Sequence, residues 1–300
     1  MINREDITLC ETPYVKQASI YYNPHISPRA CVLYFHGGGL LYGSRSDLPK
    51  LHLEKLTGAG YLVISYDYPL APSAKLDLIM SDVTDSVNSL IRSPQTYIPS
   101  GHAWPDAPAG PKGSASGDLP FYLWGRSAGA YLCLMAAAGG KLKSAPRGIL
   151  SYYGYGFLCD NWFGAPNSYY CSLPSVPDSC LSAVGDGLYT TGALDTHYSL
   201  YVYARQKGLW KTLLYTGRDK YFFLNHSLRT CSSLPCPLFC AHSINDTDVP
   251  YSEFLELCAK YNAQRFVASK AVHDFDRDES DPFTEQLLDA TLHFMDSCLS

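Results

Sequence analysis

Two short motifs hold the residues best able to do chemistry: Gly125-Arg126-Ser127-Ala128-Gly129 and, some ninety residues upstream, His36-Gly37-Gly38-Gly39. Glycines on either side of a serine permit a strand-to-helix turn sharp enough to leave the hydroxyl exposed. The His-Gly-Gly-Gly run supplies backbone N–H groups that could hold an oxyanion. Gly-x-Ser-x-Gly arises by chance in roughly one of ten chains of this length, His-Gly-Gly-Gly in about a few per thousand. The pair is therefore far more informative than either alone, and the chemistry it suggests is nucleophilic attack on a carbonyl.

A serine hydroxyl attacks only when an imidazole takes its proton, and the imidazole needs a carboxylate to fix its tautomer. With this kind of turn the expected chain order is Ser, Asp, His. Downstream lie His242-Ser243-Ile244-Asn245-Asp246-Thr247-Asp248-Val249-Pro250 and Val272-His273-Asp274-Phe275. Asp246 and Asp248 compete for the carboxylate role. His273, placed after the last apolar strand-like run, competes with His242, His226, His197 and His36.

These residues need elements to carry them. Ala30 to Phe35 is a strand-like run leading into the first glycine motif, and Phe121 to Trp124 leads into the serine turn. After the turn, Ala130 to Ala138 is rich in helix formers. Two antiparallel strands, Ile7 to Leu9 and Gln17 to Tyr22, are expected first. A helix should run from Asp47 to Gly58, a buried strand from Tyr61 to Tyr66, and an amphipathic helix from Ser81 to Ile91 with Val83, Val87, Leu90 and Ile91 inward. Further strands are expected at Gly148 to Tyr153, Pro237 to Ala241 and Phe266 to Ala268, then a terminal helix from Asp281 to Leu299 with Leu287, Leu288, Thr291, Leu292 and Met295 inward. Strands alternating with helices predict an α/β fold with a mostly parallel central sheet.

Ser93 to Pro120 carries six prolines among Gly, Ser and Ala and reads as a surface loop at the sheet edge away from the serine. Residues 154–220 leave a strand on the serine's side and are rich in Tyr and Trp. They are expected to form an inserted cap, with 1–153 and 221–300 as the core.

In these motifs the chain resembles the α/β-hydrolase superfamily, and within it the esterases and lipases similar to hormone-sensitive lipase, of the small bacterial carboxylesterase type. The resemblance spans nearly all of the chain. It rests on His36 to Gly39, on Tyr68-Pro69-Leu70-Ala71-Pro72, on Gly125 to Gly129, on the Asp-x-x-Val-Pro box and on His273-Asp274-Phe275. It implies the α/β-hydrolase fold and a triad of Ser127, Asp246 and His273, with oxyanion donors from Gly38, Gly39 and Ala128. The implied activity is serine hydrolysis of short-chain carboxylic esters; the alternatives are a carbohydrate acetyl esterase, a peptidase or a ligand-binding homologue without catalysis. The chain departs from the family pattern at Arg126, where Asp or Glu is common, at Pro69 in place of Arg, and at Asp274 in place of Gly.

Composition bounds the rest. With 300 residues, 46% hydrophobic and 17% charged, the core is ample. A net charge of -5 gives no electrostatic reason to expect nucleic acid or an anionic membrane. Eleven cysteines, odd in number and scattered, suit free thiols in a reducing compartment. The spacing of Cys231, Cys236, Cys240 and His242 matches no common zinc pattern. The expectation is a cytoplasmic enzyme needing no cofactor or metal, acting on a small-molecule ester, alone or as a homodimer.

Overall fold

In the computed structural model, which describes residues 2–99 and 119–299, eight strands form one sheet in the order β1-β2-β4-β3-β5-β6-β7-β8. The strands are β1 (Asn3–Cys10), β2 (Lys16–Tyr22), β3 (Ala30–Phe35), β4 (Tyr61–Tyr66), β5 (Phe121–Arg126), β6 (Gly148–Tyr152), β7 (Leu238–Ser243) and β8 (Gln264–Ala268). β1 and β2 pair antiparallel at one edge; β4, β3, β5, β6, β7 and β8 are mutually parallel.

Burial explains the pattern. Every residue of β3 through β7 is buried, the mark of parallel strands covered on both faces. The edge strand β1 alternates between half-buried and exposed, and β8 is largely exposed. Helices α1 (Lys50–Gly58) and α10 (Pro282–Leu299) cover one face, through Leu53, Leu56, Leu287 and Met295. Helices α2 (Leu76–Arg92), α3 (Ala128–Ala138) and α9 (Tyr251–Tyr261) cover the other, through Ile79, Val83, Leu132 and Leu257. Fully burying one such leucine is worth about 1.5–3 kcal/mol.

Between β6 and β7 the chain forms short helices: α4 (Ser168–Ser172), α5 (Cys180–Ala183), α6 (Ser199–Lys207), α7 (Trp210–Leu214) and α8 (Asp219–Asn225). Glu253 of α9, buried, accepts from the backbone N–H of Gly156, Phe157 and Cys159 and from the Trp162 indole. One carboxylate thus fixes the first turn of this segment. A 3₁₀ turn, Pro94–Tyr97, opens the proline-rich stretch and buries Tyr97; residues 100–118 of the loop expected there lie outside the described residues. All eleven cysteines are free thiols. Among the described residues no helix is long and apolar enough to cross a membrane.

Candidate active site

Parallel strands deliver their carboxyl ends to one edge of the sheet, and there the chemical residues gather. β3 is followed by His36 to Gly39, β5 by Ser127, β7 by Asp246 and β8 by His273. Ser127 occupies the turn between β5 and α3 with φ 53 and ψ -119, a conformation that costs a non-glycine residue free energy and persists only where its surroundings hold it. Its N–H donates to Tyr152 O at 2.8 Å, and its carbonyl accepts the first bonds of α3. Glycine is required beside it: a Cβ on Gly129 would lie 1.9 Å from Phe35 O, so the helix could not approach β3.

His273 Nε2 lies 2.8 Å from Ser127 Oγ, and His273 Nδ1 lies 2.7 Å from Asp246 Oδ2. With Nδ1–H donated to the carboxylate, Nε2 is free to accept the serine proton. The Asp246 side chain is fully buried, its Oδ1 accepting from the backbone N–H of Asp248 and Val249 and its Oδ2 lying 3.2 Å from His242 Nε2. Burial opposes its charge, but His273 and His242 hold it well below the usual carboxylate range. Burial also works against a charge on His273, yet Asp246 and, further off, Asp248 and Asp274 outweigh it and raise the imidazole to about 9.

Of the residues expected to hold an oxyanion, Gly38 and Gly39 line the same cleft as Ser127, and Ala128 follows the serine directly. Gly38 and Gly39 follow β3, and Ala128 opens α3; no acceptor within the protein engages their N–H groups among the described residues. The loop is braced from two sides. Tyr68 Oη donates to His36 O at 2.9 Å, and the Trp210 indole donates to Gly39 O at 2.8 Å. Gly39 must lack a side chain, since a Cβ there would lie 2.1 Å from the Tyr201 ring. His36, lowered by burial to about 4, stays neutral and bonds Gly37 O through Nδ1.

Asp248, the other carboxylate of the box, points away from His273 toward the helical segment. It accepts from Arg205 Nε at 3.0 Å, Tyr170 Oη at 2.9 Å and Tyr201 Oη at 2.5 Å. Of the other histidines, His242 bonds Val249 O and supports Asp246, His226 faces Asp77, and His197 contacts Thr196. None of them reaches Ser127.

The site opens into a cleft of about 710 Å³ whose wall includes Gly38, Gly39, Tyr42, Ser127, Tyr198 and His273. The hydroxyls of Tyr42, Tyr169 and Tyr198, also at this cleft, have no hydrogen-bond partner among the described residues.

Sequence reasoning missed a second buried cluster behind Ser127 and His273. Arg126 Nη2 donates to Asp276 Oδ1 at 2.8 Å, Arg126 Nε to Tyr153 Oη at 2.5 Å, and Tyr153 Oη to Asp276 Oδ1 at 2.9 Å. His52 Nε2 lies 2.9 Å from Asp276 Oδ2. The available signal was Arg126 itself, a cation next to the serine in an otherwise apolar run; its partner lies 150 residues away.

The family model for the alpha/beta hydrolase fold matches residues 32–217. An alpha/beta hydrolase superfamily protein from Enterococcus faecalis superposes with a TM-score of 0.77 at 24% identity, covering 98% of each chain. Esterase from the fungus Rhizomucor miehei superposes with a TM-score of 0.64 at 16% identity, covering 100% of this chain and 84% of that one. Among curated sequences, the non-reducing polyketide synthase adrD of Penicillium roqueforti is 28% identical over 199 residues, which is 64% of this chain and only 8% of the synthase.

Proposed function

The chain belongs to the alpha/beta hydrolase fold family, and from that premise we propose that it is a serine carboxylesterase acting on short-chain acyl esters. In this reading Ser127 attacks the ester carbonyl while His273 takes its proton, Asp246 orients His273, and the N–H groups of Gly38, Gly39 and Ala128 hold the oxyanion. His273 then protonates the leaving alcohol, and a water activated by the same imidazole releases the acid. Residues 154–220 act as the cap over the site, and the free thiols suit a reducing compartment such as the cytoplasm.

The observation that carries the reading is the continuous chain from Ser127 Oγ through His273 to the buried Asp246, at 2.8 and 2.7 Å. A homologue that only bound ligands would have no use for it. The test is Ser127→Ala: turnover of p-nitrophenyl acetate should fall by about 10⁴ to 10⁶, and labelling by a fluorophosphonate probe should vanish. Near-normal hydrolysis by the purified variant would overturn the mechanism. A second reading, a carbohydrate acetyl esterase, is favoured by the unpartnered tyrosine hydroxyls at the cleft, which suit a hydroxyl-rich alcohol. Competition by acetylated sugars against p-nitrophenyl acetate tests it.

A further inference from the structure

His273 rides on a stretch, residues 269–281, that belongs to neither a strand nor a helix. A loop residue that must hold its ring within a fraction of an ångström of a serine needs support beyond the single bond to Asp246. The support lies three residues on. Asp276, with no exposed surface, accepts hydrogen bonds from three separate elements: Arg126 at the end of β5, Tyr153 just after β6, and His52 of α1. Arg126 immediately precedes Ser127. The ion pair therefore joins the serine turn to the histidine loop without passing through the triad.

Tyr153 adds a direct contact. Its ring meets the His273 ring edge-on, centroids 4.7 Å apart, while its hydroxyl sits between Arg126 and Asp276. Its φ is 40, a left-handed conformation unfavourable for an aromatic residue. Such strain survives only where surrounding contacts over-determine it. Phe275 packs on the same ring at 5.9 Å, and Arg277 makes two bonds of 2.8 Å to Asp47 in the segment following the oxyanion glycines.

We infer that Arg126, Tyr153 and Asp276, with His52 behind them, form a positioning clamp that sets the His273 ring over Ser127. This inference rests on the triad reading above. None of the four touches a reacting atom, so each acts through His273. The charged and titratable groups around His273 are Asp246, Asp274 and Tyr153, with Asp248 acting from further off while bound to Arg205; those facing the clamp are Asp47, Arg277, Tyr34 and His52.

Three variants test it, with kcat, KM and the pH profile of kcat/KM as readouts. Tyr153→Phe keeps the ring and removes only the hydroxyl; kcat should fall about tenfold with KM little changed. Asp276→Asn should lower kcat by about 10². It should also move the acid limb of the profile to lower pH by about half a unit or more, because the Arg126 charge is left uncompensated near His273. Arg126→Met combined with Asp276→Leu removes both charges: the limb should return to its wild-type position while kcat stays depressed. If Asp276→Asn does not fold, the other two variants still decide. Wild-type kcat in Tyr153→Phe, or an unmoved limb in folded Asp276→Asn, overturns the clamp and leaves a cluster that merely packs. Ser127→Ala separates the two failures. If it retains turnover, the esterase reading falls; if it is inactive while the clamp variants behave as wild type, only the clamp falls.

Discussion

Asp246 and Asp248 stand two residues apart in one loop, are both buried, and face opposite ways. Asp246 turns into the core, where His273 and His242 meet it; Asp248 turns out to Arg205, Tyr170 and Tyr201 of the helical segment. Their roles come from their partners and not from the residue type. A carboxylate between two imidazoles can fix a tautomer, while one between a guanidinium and two phenols can only tie one part of the chain to another. The loop thus serves the proposed triad with one side chain and the helical segment between β6 and β7 with the next.

The contrast breaks most sharply at Asp246. Asp246→Asn should lower kcat/KM for p-nitrophenyl acetate by about 10⁴, because an amide cannot hold the Nδ1–H tautomer. Asp248→Asn should keep most of kcat but destabilise the fold by about 3–5 kcal/mol, since Arg205 is left as an uncompensated buried cation; thermal melting and steady-state rates on the same preparation compare the two. The reverse ranking of activities would transfer the acid role to Asp248.

A pH series sharpens the same comparison. Because His273 is raised to about 9, kcat/KM should climb with pH toward that value as the imidazole becomes free to accept a proton. Its contribution to stability runs the other way: fully present below the ordinary histidine value near 6.5, it is lost as pH rises through about 9. Asp246→Asn should remove both trends and Asp248→Asn should leave both largely in place, as rate and melting profiles between pH 6 and 10 would report.

The smallest effect concerns acyl length. Tyr170 and Tyr201, held by Asp248, wall the cleft. The wild-type protein should therefore prefer acyl chains of about two to four carbons, since each further methylene gains about 0.8 kcal/mol only where a pocket buries it. Asp248→Asn should flatten that preference, measured across acetyl, butyryl, octanoyl and lauryl p-nitrophenyl esters. A steady rise to lauryl in the wild type would point to a long apolar channel.

The sequence was most legible where local pattern and burial coincide. Fully apolar runs announced the central strands, and the two glycine motifs marked the turns that follow β3 and β5. Misreadings fell where tertiary contacts act. The strand expected through Tyr153 stops at Tyr152, because Tyr153 turns left-handed to reach Arg126 and Asp276. The helix expected from Asp47 begins at Lys50, Asp47 being engaged with Arg277. α2 starts at Leu76 and not Ser81, since Leu76 and Ile79 extend its buried face. On α10 Phe294 joins Leu287, Leu288, Thr291 and Met295 on the buried face, with Leu292 only half-buried. α9 went unread although its Phe254 and Leu257 lie at helical spacing. Of the Arg126 cluster only Arg126 itself gave a signal, because its partners on α1, after β6 and in the loop before α10 are brought to it by the tertiary fold.

The bond from the Trp210 indole to Gly39 O carries an evolutionary consequence. Cap segments look like interchangeable modules, free to diversify while the core keeps the chemistry. Here the segment between β6 and β7 lends a donor to the loop that carries the proposed oxyanion donors, and Tyr201 fills the space that Gly39 leaves open. A cap grafted from another protein would have to restore both contacts before it could confer a new preference. Substitution between β6 and β7 is thus constrained at Trp210 and Tyr201, the two side chains that reach down to the glycines.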